Sequence, residues 1–174
     1  MVLWLGRGDA HGLLAELLKS EYGLSPLPET AREESGKPFF PGFRALHFNL
    51  SHSGPLALCG AGAAPLGVDL EVLRPRREGL ARYALSEAEY DFFRQQGGDW
   101  GAFYTLWTLK EARVKCTGQG LRQLPRAISV PLLRPGERGE LDGLVFRAYA
   151  GAGWRGAVCC LPPEEPPKQV DRKT

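Results

Sequence analysis

The sequence has almost nothing with which to hold a soft metal or to staple a secreted fold. Its four cysteines, Cys59, Cys116, Cys159 and Cys160, show no CxxC spacing and two of them are adjacent, which suits neither a zinc site nor a disulfide framework. Reduced, buried thiols are the reading that remains. Long apolar runs are also missing: the longest, near Pro55 to Val68, is broken by glycine and proline and is too short to span a bilayer. The N-terminus lacks the basic and apolar regions of a signal peptide, so a cytoplasmic protein without a membrane role is expected. Charge of one sign is scarce as well. A net +2 over 174 residues gives no case for a nucleic-acid partner, although arginines gather at Arg74, Arg76, Arg77 and Arg82. What is present is an ordinary globular composition, 43% hydrophobic and 24% charged, enough for one substantial core or two small halves packed together.

Hydrophobic spacing supplies the elements. Val2 to Leu5 reads as a short strand, and Asp9 can cap a helix running to about Tyr22, where Leu13, Leu14, Leu17 and Leu18 form an apolar stripe and Gly23 closes the end. From Leu24 to Phe43 the chain is rich in proline, glycine and charge and reads as a long loop. Strands follow around Leu46 to Leu50 and Leu56 to Ala61. The order then repeats. "LGVDLEV" is a strand, "LSEAEYDFFRQQ" offers Ser86 as a cap with Glu89 three residues on, and "DWGAFYTLWTLKEARVKCTG" is a long helix ended by Gly118. Three more strands are expected near Ile128 to Leu133, Leu144 to Ala150 and Gly156 to Leu161, and the tail, residues 164–174, has too little apolar content to order itself. The sum is an α+β fold in which one unit is used twice: a shortened N-terminal half, residues 1–65, and a C-terminal half, residues 66–163. Runs of strands after helices favour this over a parallel α/β sheet.

One short stretch resists a purely structural reading. In "GVDLE", Gly67 to Glu71, two carboxylates alternate with buried positions and therefore point to the same face of a strand, their Cα atoms about 6.6 Å apart. On the long helix Trp107, Glu111 and Lys115 fall at i, i+4 and i+8 along one face. Taken alone, Asp69 and Glu71 read as a solvated edge strand, and Glu111 with Lys115 as a surface ion pair. Together, two acids from a strand and a third from a helix make an oxygen-rich site. Without His or Cys at metal spacing, such a site favours Mg²⁺, which keeps waters and engages substrate phosphates. "FNLSHS", Phe48 to Ser53, adds Ser51, His52 and Ser53 as hydrogen-bond donors at a strand end where a phosphate can dock, and "GKPFF" places Lys37 in a loop beside a proline.

In this order, "GKPFF", "FNLSHS", "GVDLEVLRPR", "LSEAEYDFF" and "FYTLWTLKEARVKCTGQGL" resemble the 4'-phosphopantetheinyl transferase superfamily, specifically its larger Sfp-type members, over Gly36 to Leu121. The resemblance implies two similar α+β halves related by a pseudo-twofold axis, with coenzyme A in the cleft between them. It implies transfer of the 4'-phosphopantetheine arm of coenzyme A to a serine of an apo acyl or peptidyl carrier protein, with release of 3',5'-ADP. The carrier could serve fatty acid, polyketide or nonribosomal peptide synthesis. Asp69, Glu71 and Glu111 match the family's magnesium-binding acids, with Mn²⁺ as the alternative ion. Lys115 matches the lysine that contacts the pyrophosphate, Ser51 and His52 the pair that approaches the coenzyme A phosphates, and Lys37 the residue beside the adenine nucleotide. Glu111, directly or through a water, is the candidate general base, and Lys110 has no secure role.

Sfp-type enzymes carry more chain before the Gly-Lys-Pro element, with basic residues that approach the 3'-phosphate. Here Arg7 or His11 would have to serve, which implies weaker recognition of that group. Two units in one chain imply a monomer. Carrier proteins are generally acidic, so Arg74, Arg76, Arg77 and Arg82, with Arg113 and Arg122, are the expected docking surface. The alternatives to the transferase are an inactive coenzyme A or carrier-protein binding module and a magnesium-dependent pyrophosphate hydrolase.

Overall fold

The computed structural model describes residues 1–77, 79–120 and 123–173. Local signals set most of its elements. Strand β1 (Val2–Arg7) leads into helix α1 (Ala10–Tyr22), which starts where the Asp9 carboxylate accepts from the Gly12 N–H at 2.8 Å and stops at Gly23, whose φ of 67° only glycine adopts without strain. Within the stretch read as a loop, β2 (Ala31–Arg32) and β3 (Pro38–Phe39) form a small two-stranded ribbon. The hairpin of β4 (His47–Ser53) and β5 (Leu56–Gly62) follows, then β6 (Leu66–Val72). Helix α2 (Leu80–Ala84) precedes α3 (Glu87–Gln95), which opens on the anticipated capping box of Ser86 and Glu89. Helix α4 (Trp100–Thr117) is capped by Asp99 and ended by Gly118. Strands β7 (Arg138–Leu141), β8 (Leu144–Gly151), β9 (Trp154–Cys160) and β10 (Asp171–Arg172) complete the chain.

The expected α+β class is what the chain adopts, and the path repeats. The first sheet runs β10-β1-β5-β4 and the second β6-β9-β8-β7. In each, the opening strand (β1 or β6) pairs antiparallel with the last strand of a hairpin (β5 or β9), which pairs in turn with the hairpin's first strand (β4 or β8). Strand alternation then divides the burial into layers. Leu13, Leu14, Leu17 and Leu18 of α1 cover one face of the first sheet at Trp4, Phe48, Ala57 and Cys59. Leu106, Leu109 and Ala112 of α4 cover one face of the second sheet at Phe146, Ala148, Ala157 and Cys159. The two remaining faces meet, with Leu3, Leu5 and Leu58 against Leu66, Val68, Leu70 and Val158. The order of layers is therefore helix, sheet, sheet, helix.

Two expectations fail. Residues 128–133 form no ladder, although Ile128, Val130 and Leu133 are buried as a strand's inner face would be. The carbonyls of Ile128 and Ser129 accept from the side chains of Lys110 and Arg113 instead, and Pro131 has no N–H to give a sheet; the edge strand is β7. The tail is the second case. Residues 164–173, expected to be disordered, are held by the rest of the chain: Glu165 takes two bonds from Arg138, the Tyr149 hydroxyl donates to Pro167 O at 2.6 Å, and β10 lies parallel to β1. Low apolar content stops a segment from ordering itself but not from using partners supplied elsewhere.

Candidate active site

The period-two pattern of β6 turns Leu66, Val68 and Leu70 toward the first sheet and leaves Gly67, Asp69 and Glu71 facing α4. Gly67 is where the helix touches down. A β-carbon there would run into the Ala112 carbonyl oxygen and the Cys116 amide nitrogen, so the missing side chain lets α4 lie directly on the strand. That contact brings Glu111 and Lys115 alongside Asp69 and Glu71.

Lys115 is the centre of the polar contacts. Its ammonium donates to Asp69 Oδ1 at 2.7 Å, to Ser51 Oγ at 3.1 Å and to Val68 O at 3.1 Å, using all three of its protons. The Ser51 hydroxyl, expected to offer its proton to a phosphate, gives it to Asp69 Oδ1 at 3.0 Å. Ser53 likewise donates to Glu71 Oε2 at 2.9 Å. Asp69 is 5% exposed, and its second oxygen, Oδ2, is buried with no hydrogen-bond partner. Burial, offset in part by Lys115, pushes the Asp69 carboxyl above the usual carboxylate range. Glu111 is raised too, first by burial and then by the negative charges of Asp69 and Glu71, with Lys115 opposing. The three acids therefore sense one another, and one ammonium does not cancel them. Among the described residues, however, no three His, Cys, Asp or Glu side chains stand close enough together to hold a metal unaided.

Lys37 reaches the same helix from the first half. Its ammonium donates to the carbonyl of Cys116 at 2.7 Å, in the last turn of α4, where a cation meets the negative end of the helix dipole; burial lowers its pKa. Lys37, Pro38, Asn49, Val114 and Lys115 line a cleft of about 190 Å³ between the halves. The cleft shares Ser35, Val114, Gly118 and Gly120 with a neighbouring groove of about 770 Å³. His52 is placed differently. It alternates with Ser51 and Ser53, is exposed, and belongs to the face of β4 on which α1 packs. Arg7 is exposed at the end of β1, opposite Leu56, which in turn pairs with Ser53. The structure thus gathers Asp69, Glu71, Glu111, Lys115 and Ser51, puts Lys37 at their margin, and turns His52 and Arg7 outward. Asn49 was missed by sequence reasoning, although its spacing with Ser51 and Ser53 was visible.

A profile of the 4'-phosphopantetheinyl transferase superfamily matches residues 65–154, more than half of the chain. A 4'-phosphopantetheinyl transferase of Bacillus subtilis is 34% identical over 171 residues, 90% of this chain and 76% of its own length. The chain belongs to the 4'-phosphopantetheinyl transferase superfamily. The transferase Sfp of Bacillus subtilis strain 168 is 32% identical over 142 residues, 77% of this chain and 63% of its own. The transferase AcpT of Salmonella typhi is 40% identical over 119 residues, 62% of each chain.

In this transferase the long helix carries two lysines with separate jobs. Lys110 is fully buried, and its ammonium bonds Glu89 at 2.7 Å, Pro125 O at 3.0 Å and Ile128 O at 2.6 Å. It fastens α3 and the segment after α4 to the helix and faces away from the acids. The expected basic surface of the transferase is also partly committed. Arg76 donates to the Tyr104 hydroxyl at 2.6 Å, Arg82 sits 3.7 Å above the Tyr90 ring, and Arg113 is tied to Ser129 O and Asp142. Arg74, Arg76 and Arg77 are exposed in the loop after β6, and Arg122 lies outside the described residues. No helix is long and apolar enough to cross a membrane among the described residues.

Proposed function

We propose that this transferase moves the 4'-phosphopantetheine arm of coenzyme A to a serine of an apo acyl or peptidyl carrier protein through Asp69, Glu71, Glu111 and Lys115, with release of 3',5'-ADP. The observation that carries the proposal is the poorly met carboxylates: a buried, unpartnered Asp69 oxygen and a Glu111 whose pKa is raised by burial and then by the charges of Asp69 and Glu71. Hard oxygen donors with surplus charge suit a divalent ion such as Mg²⁺ or Mn²⁺. The three carboxylates fit it in kind but not as a finished cage, so water and the substrate's pyrophosphate would supply further ligands. When bound, the ion neutralises charge on the pyrophosphate oxygens.

The chain's own residues do the rest. The Oγ of the carrier serine forms a bond to the β-phosphorus of coenzyme A as the bridging phosphoanhydride bond breaks, and the electron pair leaves on 3',5'-ADP. Glu111 takes the serine's proton, directly or through a water. A carboxylate that also holds the ion is a weak base, so the relay through a water is the favoured form. Lys115, now saturated by Asp69, Ser51 and Val68, is the cation that a pyrophosphate would draw over, while Lys37 lines the cleft for the nucleotide. His52 and Arg7, exposed at the same end of the first sheet, are left for the outer phosphate, and the Arg74 to Arg77 loop for an acidic carrier. The enzyme acts as a cytoplasmic monomer in this reading.

One assay tests the function. The protein is incubated with Mg²⁺, coenzyme A and an apo carrier protein, and the carrier is weighed. A gain equal to the phosphopantetheine arm is expected. An unchanged carrier with coenzyme A consumed would make the protein a pyrophosphate hydrolase, and binding without turnover would make it an inactive module.

A further inference from the structure

Strands β4 and β6 are both edge strands, one from each sheet, and an edge strand carries a row of backbone groups with no neighbouring ladder. Side chains meet that row here. Asn49 Oδ1 accepts from the Val68 N–H at 2.9 Å, Ser51 Oγ from Leu70 at 3.2 Å and Ser53 Oγ from Val72 at 3.0 Å. Three alternate residues of β4 thus join the halves like the teeth of a comb. A hydroxyl that accepts from an amide keeps its own proton for a second partner. Both serines direct it to a carboxylate of the strand they have engaged, Ser51 to Asp69 and Ser53 to Glu71.

We propose that Ser53 is a positioning residue for the transfer reaction: its hydroxyl, fixed by the Val72 N–H, holds the Glu71 carboxylate toward Asp69 and Glu111. The inference rests on the metal-dependent reading above. Glu71 is partly exposed and its side chain is long and flexible, so the freedom it retains is limited by what it is bonded to. A hydroxyl anchored on a neighbouring backbone gives it one direction. Ser51 serves Asp69 and Lys115 together, whereas Ser53 has Glu71 as its acceptor. The joint between the halves and the geometry of Asp69 and Glu71 are then one hydrogen-bonded unit.

The test compares Ser53→Thr with Ser53→Val. Both are β-branched and suit a strand, and they have nearly the same shape; only threonine keeps the hydroxyl. Mn²⁺ binding in the presence of coenzyme A is read by electron paramagnetic resonance, beside kcat/KM and thermal melting. Ser53→Val is expected to weaken Mn²⁺ binding about 10-fold or more, the usual effect of losing a partner of a ligating carboxylate, while Ser53→Thr stays near the parent protein. Ser53→Ala, which adds no atoms, gives the same readout should the valine variant fail to fold. A lower melting temperature with unchanged Mn²⁺ affinity, or equal losses in the threonine and valine variants, would overturn the proposal. If the unaltered protein bound no Mn²⁺ and transferred no arm, the underlying reading would fall instead, and the two failures are distinguishable.

Discussion

At Glu111 the chemistry of the site and the stability of the fold pull in opposite directions. Its carboxyl sits above the ordinary value of 4.5 because burial and the charges of Asp69 and Glu71 disfavour its ionised form, with only Lys115 helping. The folded chain therefore keeps this proton to a higher pH than the unfolded chain does. Below the ordinary value both states are protonated and nothing is lost. As pH rises from there through the elevated value, the unfolded state gives up its proton first, so this residue's contribution to stability falls and stays low above that window. Glu111→Gln removes the penalty. In metal-free protein the variant should melt near the parent at pH 4 and above it at pH 7, by about 2–4 °C for each kcal/mol relieved. Transfer should drop at least about 100-fold, the least expected for a lost general base. A melting difference that does not change with pH would contradict the account.

Strand β6 and helix α4 make the site by lying on each other, and Gly67 is the residue that permits it. Gly67→Ala puts a methyl group into α4 backbone rather than into a movable side chain, so the helix must shift. Overpacking of this kind costs about 1–3 kcal/mol, and a displacement of about 1 Å can lower catalysis 100-fold. Melting and kcat/KM measured together should show a rate loss larger than the stability loss predicts; a variant that keeps both would mean that the contact does not set the site. The longer elements were legible because their signals are local: the cap at Asp9, the stops at Gly23 and Gly118, the capping box at Ser86, and the alternation of Asp69 with buried neighbours; the short β2, β3, α2, β7 and β10 were not. Alternation says which way a side chain faces but not what it meets. That Ser51 would give its proton to Asp69 and that Lys115 would be saturated depend on two edge strands from different sheets coming together, whereas the outward turn of His52 follows from its alternation with Ser51. Lys110 was undecidable for the same reason, since its partners Glu89, Pro125 and Ile128 are distant in sequence and joined only by the fold.

Beside the Lys37 and Lys115 bonds, the halves are joined by the shared apolar layer, the comb of β4 on β6, and the tail, whose Glu165 and Pro167 bind the second half while Asp171 to Lys173 run along the first. The tail offers only a few hydrogen bonds, an exposed Arg138–Glu165 pair that solvent screens, and the Lys173 ammonium 3.9 Å from the Trp4 ring. The backbone entropy lost on ordering the tail opposes these contacts, so the tail's net effect on stability is small. Its larger effect is to cover β1, whose outer edge would otherwise present open N–H and C=O groups. Deleting residues 165–174, which leaves Glu164 on the N-terminal ammonium, should therefore lower the melting temperature by only a few degrees, about 2–4 °C per kcal/mol lost, yet make the protein associate more readily than its parent as concentration rises. Sedimentation velocity over a hundredfold range of concentration distinguishes the cases. A truncated protein that associates no more than its parent while melting far below it would make the tail a stabilising strap rather than a shield for the β1 edge.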